Sequence, residues 1–176
     1  MRKVVLFIAM SLDGYIADKN GRVDWLKGQD INVETEDAYS ALIKEIDTVV
    51  MGFTTYHQII TELSPSEWVY RDLNSYVITH RNIVSDQNIQ FVQESPNDLI
   101  QRLKKQNGKN IWICGGANIV QQLLQENMID TFHLSIIPTI LGEGIRLFGT
   151  LDTELQLKLT NIRHYNGITE VLYEKR

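Results

Sequence analysis

Residues 111–120 read Ile111-Trp112-Ile113-Cys114-Gly115-Gly116-Ala117-Asn118-Ile119-Val120. Ile111 to Cys114 form a short apolar run, rich in β-branched and aromatic side chains, as in a buried strand. Two glycines follow. Ile119, Val120, Leu123 and Leu124 then recur at helical spacing. The order is strand, Gly-Gly turn, helix. Lacking Cβ atoms, the glycines let a ligand's phosphates approach the backbone. The helix start beyond them offers unpaired N–H groups and the positive end of a dipole. Taken alone, these residues describe a tight turn more readily than a pyrophosphate seat.

The neighbouring segments bear on that choice. Residues 3–10 are continuously apolar and read as a strand covered on both faces. Ser11 to Gly21 is full of turn formers and reads as a long irregular connection ending near Asp24-Trp25-Leu26. Residues 35–46 read as a helix: Thr35 is the N-cap, Glu36 and Asp37 suit the first turn, and Ala38, Leu42, Ile43 and Ile46 mark the apolar face. Asp47 to Gly52 is a second buried strand, followed by a short helix over Thr54 to Ile60. Ser75 to Thr79 is a third strand, with His80-Arg81-Asn82 at its end, and Ile89 to Val92 is a fourth.

Ser95, Pro96 and Asp98 open a helix that runs to about Gln106. The helix after the glycines reaches about Glu126. Asp130 to Ile137 is a strand closed by Pro138, and Thr139 to Gly144 is a glycine-punctuated loop. Residues 155–163 and 168–174 flank Asn166-Gly167, the dipeptide of a tight hairpin. Strands that alternate with helices before a terminal hairpin predict an α/β fold in one domain over 1–176. Its sheet is mostly parallel, with an antiparallel C-terminal hairpin. Ligands of such sheets sit outside the C-terminal strand ends. Asp13, Gly52, Arg81 and Gly115 all fall there.

Composition narrows the partners. A net charge of −5 argues against a general nucleic-acid surface. Cys114 is the single cysteine and has no internal disulfide partner, which fits a reducing cytoplasm; its apolar setting favours an inert thiol. No apolar run approaches the ~18 residues of a membrane span. Arg2-Lys3 before an apolar stretch faintly mimics a secretion signal, but Asp13 and Gly14 follow directly in place of a small-residue cleavage site. His57, His80, His133 and His164 lack metal-ligand spacing, so no metal is expected.

Six motifs occur in order along the chain: Met10-Ser11-Leu12-Asp13-Gly14-Tyr15-Ile16-Ala17, Asp24-Trp25-Leu26, Met51-Gly52-Phe53-Thr54-Thr55-Tyr56, Thr79-His80-Arg81, Gly115-Gly116-Ala117-Asn118 and Pro138-Thr139-Ile140-Leu141-Gly142-Glu143-Gly144. The ordered set resembles the dihydrofolate reductase-like superfamily. It is most similar to the C-terminal reductase domain of the riboflavin-biosynthesis deaminase-reductase and its stand-alone bacterial relatives.

That resemblance implies a three-layer α/β/α fold and an NADPH-dependent reductase. Gly115 and Gly116, joined by a cis peptide in the family, would line the pyrophosphate with Ala117 and Asn118. Gly52, Thr54 and Thr55 match the turn that meets the phosphates. Thr79 and Arg81 match the end of the strand that holds the 2′-phosphate. Ala9 and Ile16 match positions bordering the nicotinamide, and Ser11 to Leu26 matches a loop that closes over it. One departure stands out: dihydrofolate reductases usually carry an arginine where this chain has Phe53. Preference for NADPH over NADH would then lean on Arg81.

On the substrate side the resemblance points to Leu12, Trp25, Ser135 and either Glu36 or Asp37 as binding residues, with Asp13 and Glu143 as the polar groups nearest the chemistry. Each has a plainer role available: a helix-dipole charge for Glu36 and Asp37, core packing for Trp25, a turn cap for Asp13. The expected substrate is a heterocycle of the ribosylaminopyrimidine or pterin type, and the expected assembly a soluble homodimer. Lack of a deaminase domain counts against a dedicated riboflavin role. Dihydrofolate reduction and a non-catalytic NADP-binding module are the alternatives.

Overall fold

The computed structural model describes residues 1–33 and 38–176. Strand β1 (Val4–Ser11) lies deep in the sheet. Val4 and Leu6 are wholly buried, as the unbroken apolar run requires of a strand packed on both faces. Its parallel neighbours are β6 (Asn110–Gly115) and β7 (Thr131–Ile137). Beyond β6 come β3 (Ile46–Gly52), β4 (Asn74–Ile78) and β5 (Ile89–Val92), all parallel. Beyond β7 come β10 (Ile168–Lys175) and the edge strand β9 (Leu157–Tyr165), both antiparallel to their neighbours. The sheet order is β5-β4-β3-β6-β1-β7-β10-β9. The expected α/β sheet, parallel with an antiparallel C-terminal hairpin, is the one observed.

Helices cover both faces. Against one pack α3 (Pro96–Lys104) and α4 (Ala117–Gln125), through Leu99, Ile100, Leu103, Val120 and Leu123. Against the other pack residues from α1 (Ala38–Leu42), α2 (Phe53–Gln58) and the π-helical turn Ile59–Leu63 that continues it, over Val49, Met51, Val77 and Trp112. Leu123 has no exposed surface, so its truncation to alanine should cost about 2–5 kcal/mol. Ser95 caps α3, its Oγ accepting from the Asp98 N–H at 3.1 Å, with Pro96 in the first turn. Asn166 and Gly167, at φ 46° and 75°, make the β9–β10 turn.

Two sequence expectations change. The stretch after β1 is not wholly irregular: β2 (Tyr15–Asp18) forms within it and pairs antiparallel with β8 (Gly144–Arg146). That pairing joins segments well over a hundred residues apart, which no local pattern signals. Of the helix expected over 35–46 the structure shows Ala38–Leu42, and the expected Thr35 cap with Glu36 and Asp37 lies outside the described residues. The Glu45 N–H bonds back to the Leu42 carbonyl, and Ile46 opens the buried strand β3.

Candidate active site

The ends of β3 and β6 lie side by side, each running into a helix. The Gly115–Gly116 peptide is cis, and Gly115 has φ 131°, a region that favours glycine. A Cβ on Gly116 would sit 3.5 Å from Thr55 Oγ1, and one on Gly52 would sit 4.0 Å from the Gly116 nitrogen. Gly52, Thr55, Gly115 and Gly116 therefore share one small patch. Gly52 is the N-cap of α2 and Gly116 of α4, and neither helix start has a side-chain cap. Two helix N-termini thus point positive ends at one place beside bare backbone, an arrangement that suits phosphate groups. Ala117 opens α4. Asn118 is exposed and accepts from Gln122 Nε2 at 2.7 Å, and Thr54 is exposed on α2.

One strand further out, Thr79 is buried just past β4 and its Oγ1 accepts from the Arg81 N–H at 3.1 Å. The Arg81 side chain lies over the Phe53 ring, its Cζ 4.2 Å from the centroid. Phe53, the departure noted above, thereby holds the arginine beside α2.

Along β1, Phe7 to Met10 are only partly buried, Ala9 among them, before Ser11 ends the strand wholly buried. Ile8 reaches the Gly115 turn, its Cδ1 3.6 Å from where a Cβ would stand. Ile16, on β2, packs against the core beside this end. The loop after β2 is tied to α2, Gln58 Nε2 donating to the Gly21 carbonyl at 2.9 Å.

Asp13 has a defined task. It accepts from Ser11 Oγ at 2.6 Å, and its two oxygens take the Leu141 and Gly142 N–H groups at 3.1 and 2.7 Å. These bonds, the Ser11 hydroxyl foremost, hold its pKa down at about 2. It pins the 139–144 loop to the β1–β2 turn as a carboxylate. Glu143 is mostly exposed and faces Lys19 at 3.9 Å. Leu12 is 62% exposed at the same turn. Trp25 is half-buried and spends its Nε1 on the Arg22 carbonyl at 3.1 Å. Glu36 and Asp37 lie outside the described residues.

Ser135 contacts a buried carboxylate. Its Oγ lies 3.4 Å from Oε1 of Glu170, a residue 2% exposed. Tyr165 donates to the same oxygen at 2.9 Å, while Arg163 donates to Oε2 at 2.8 Å and His133 Nε2 stands 3.5 Å from it. Burial pushes the His133 pKa down, against the upward pull of Glu170. Sequence reasoning passed over Glu170. A signal was available: the two-residue turn at Asn166-Gly167 sets the register so that Arg163 opposes Glu170, an opposite-charge cross-strand pair. Cys114 faces the Tyr70 hydroxyl at 3.8 Å amid Trp112 and Tyr39, and desolvation raises its thiol pKa to about 11, in keeping with an inert role.

A parallel sheet flanked by helices, with a terminal antiparallel hairpin and a cis Gly-Gly turn at its C-terminal edge, defines a dihydrofolate reductase-like α/β protein. Within that class residues 2–170 match the model of the RibD C-terminal domain, and the chain belongs to that family. YwjB of Bacillus subtilis, itself uncharacterized, is 37% identical over 175 residues, covering 98% of this chain and 97% of YwjB. A candidate riboflavin biosynthesis protein of Shewanella sp. PV-4 superposes with a TM-score of 0.85 at 29% identity, over 99% of each chain. RibD of Haemophilus influenzae is 22% identical over 181 residues, covering 81% of this chain and 49% of RibD. The Thermotoga maritima diaminohydroxyphosphoribosylaminopyrimidine deaminase/5-amino-6-(5-phosphoribosylamino)uracil reductase shares the fold, with a TM-score of 0.73 at 14% identity over 99% of this chain and 57% of that one. Among the described residues no helix is long and apolar enough to cross a membrane.

Proposed function

We propose that this protein is an NADPH-dependent reductase of a small heterocycle, most like a 5-amino-6-(5-phosphoribosylamino)uracil reductase. The observation that carries the reading is the patch of Gly52, Thr55, Gly115 and Gly116 between two uncapped helix starts, with Arg81 one strand away. A dinucleotide's pyrophosphate fits the bare glycine backbone, with Thr54, Thr55, Ala117 and Asn118 around it. Arg81 takes the 2′-phosphate by charge-assisted hydrogen bonds. The nicotinamide end then falls between Ala9 and Ile16.

NADPH supplies the hydride when bound; the chain's task is to orient the substrate and exclude water. Asp13 serves as a positioning residue, since its oxygens are engaged in holding the 139–144 loop. Glu143 has no chemical role in this reading. Leu12, Trp25 and Ser135 border the substrate. Two chains associate through the outer strands to form a homodimer.

The test is a titration with NADPH and NADH, followed by turnover with 5-amino-6-(5-phosphoribosylamino)uracil and with dihydrofolate. Oxidation of NADPH by the aminopyrimidine supports the proposal. Turnover with dihydrofolate alone would make it a folate enzyme. Tight NADPH binding without turnover of either would make it a binding module.

A further inference from the structure

The stretch from Gly21 to Val33 forms neither strand nor helix, and its ends are tied to opposite sides of the sheet. At one end the Gly21 carbonyl accepts from Gln58 Nε2, at the close of α2, at 2.9 Å. At the other end it lies on Asn166, in the β9–β10 turn. The Asn166 carbonyl accepts from the Gln29 N–H and its Oδ1 from the Asp30 N–H, both at 2.9 Å. Its Nδ2 donates to the Asp30 carbonyl at 2.8 Å and lies 3.4 Å from that of Val33. A Cβ on Gly28 would stand 2.3 Å from Asn166 Nδ2 and 2.7 Å from the Asn166 carbonyl oxygen, so glycine is what lets the two segments come this close.

Sheet topology says what lies between the two ties. Strand β10 is antiparallel to both β7 and β9, so β9 runs parallel to β7. The turn after β9 therefore stands at the same end of the sheet as Gly52 and Gly115. Between β3, which leads into α2, and the β9–β10 hairpin the sheet order places β6, β1 and β7, whose ends lead into Gly116, Leu12 and Pro138. From β3 to β10 is four strand spacings, roughly 19 Å. The chain from Gly21 to Gln29 reaches at most ~28 Å when fully extended. Turns at Val23–Leu26 and Trp25–Lys27 shorten it. The stretch is thus a strap with little slack, and Trp25 sits at its middle.

We propose that Asn166 is a positioning residue: its side chain fixes the strap, and with it Trp25, as the outer wall of the substrate cleft before the substrate arrives. This rests on the reductase reading, which gives Trp25 its place beside the substrate. Of the bonds between Asn166 and the strap, only the one to the Asn166 carbonyl survives removal of the side chain. A strap held by that bond alone leaves its place in a fraction of molecules, and apparent substrate affinity falls with the fraction whose wall is set.

Asn166→Gly suits the test, because glycine accepts the φ of 46° and keeps the hairpin turn while the side chain is lost. Gly28→Ala breaks the same tie from the strap side and serves if the hairpin variant does not fold. Hydrogen exchange over residues 22–33 measures the tie. Steady-state kinetics with NADPH and 5-amino-6-(5-phosphoribosylamino)uracil measures its use. In both variants exchange at Gln29 and Asp30 should quicken by about tenfold or more. KM for the aminopyrimidine should rise by about tenfold, while kcat and NADPH affinity stay within about twofold. A purely structural role would reduce the folded fraction, and so the apparent kcat, without moving KM. Unchanged exchange in both variants overturns the tie, and quickened exchange with an unchanged KM overturns the positioning role. A wild type that turns over no aminopyrimidine fails the reductase reading itself. Exchange needs no substrate, so the two failures are told apart.

Discussion

The guanidinium carbon of Arg81 lies 4.2 Å from the centroid of the Phe53 ring. Phe53 opens α2 directly after Gly52, and Arg81 follows β4, so the stack joins two adjacent strand ends. An arginine laid on an aromatic face loses freedom at little cost and keeps its N–H edge available. What reads in the sequence as a missing arginine at position 53 is, in the structure, an aromatic platform for Arg81.

Arg81→Ala should weaken NADPH binding by about 1–3 kcal/mol and leave NADH nearly unchanged, because only the 2′-phosphate contact is lost. Phe53→Ala should weaken NADPH in the same selective way by about 0.5–1 kcal/mol, the worth of an exposed cation–π contact. Fluorescence titration with both cofactors decides. Equal losses for NADPH and NADH would refute the assignment of Arg81.

Gly116→Ala separates binding from folding. Gly116 has an extended backbone, φ −88°, and its added Cβ would stand 3.5 Å from Thr55 Oγ1, an ordinary contact. The melting temperature should hold. NADPH affinity should fall by about tenfold or more, ~1.4 kcal/mol, as the methyl group intrudes where phosphate oxygens approach. A variant that keeps full affinity would place the phosphates elsewhere.

Asp13 should leave a signature in acid. Its pKa falls from the ordinary 3.8 to about 2 on folding, chiefly through the Ser11 hydroxyl. A group depressed on folding adds stability that is fully present above its unfolded pKa and is lost as pH falls through the folded one. The melting-temperature gap between wild type and Asp13→Asn should therefore be constant above about pH 5 and shrink from there to pH 2. A gap that does not change over that interval would show that Asp13 does not hold the 139–144 loop as a carboxylate.

Around Glu170 the two partners should differ. Arg163→Met leaves a buried carboxylate without its cation and should cost about 3 kcal/mol, the lower end for a broken buried pair because Arg163 is partly exposed. Glu170→Leu removes the buried charge itself and leaves an arginine that can reach water, so it should cost less than half as much. Urea denaturation of both variants gives the comparison. The reverse order would contradict this account of the cluster.

Strand β9 presents an open edge, with Leu159 and Ile162 at 48% and 58% exposure. A long edge strand with apolar side chains calls for a partner. Sedimentation at micromolar concentration should show a dimer, and Ile162→Asp should shift it to monomer. A wild type that sediments only as monomer would remove the homodimer from the proposal.

Much of this molecule is legible in order along the chain. The unbroken apolar run at Val4 to Met10, the Ser95-Pro96 helix start, the Asn166-Gly167 turn and the strand–Gly-Gly–helix at 111–120 are local signals. Each depends on backbone preference or side-chain period within a few residues, so one sequence carries them. They determine the α/β class, the antiparallel C-terminal hairpin and the glycines of the candidate phosphate seat. Tertiary structure alone decides what those parts face. Asp13 meets Leu141 and Gly142, β2 meets β8, and Arg81 finds Phe53 only when distant segments come together. Glu170 looks like a solvent-facing residue of a terminal hairpin, yet it is buried, because β10 lies between β7 and β9 and their polar side chains close over it. Local preference shapes each element, but the dielectric around a charge and the partner of a donor are set by whatever the fold packs beside it.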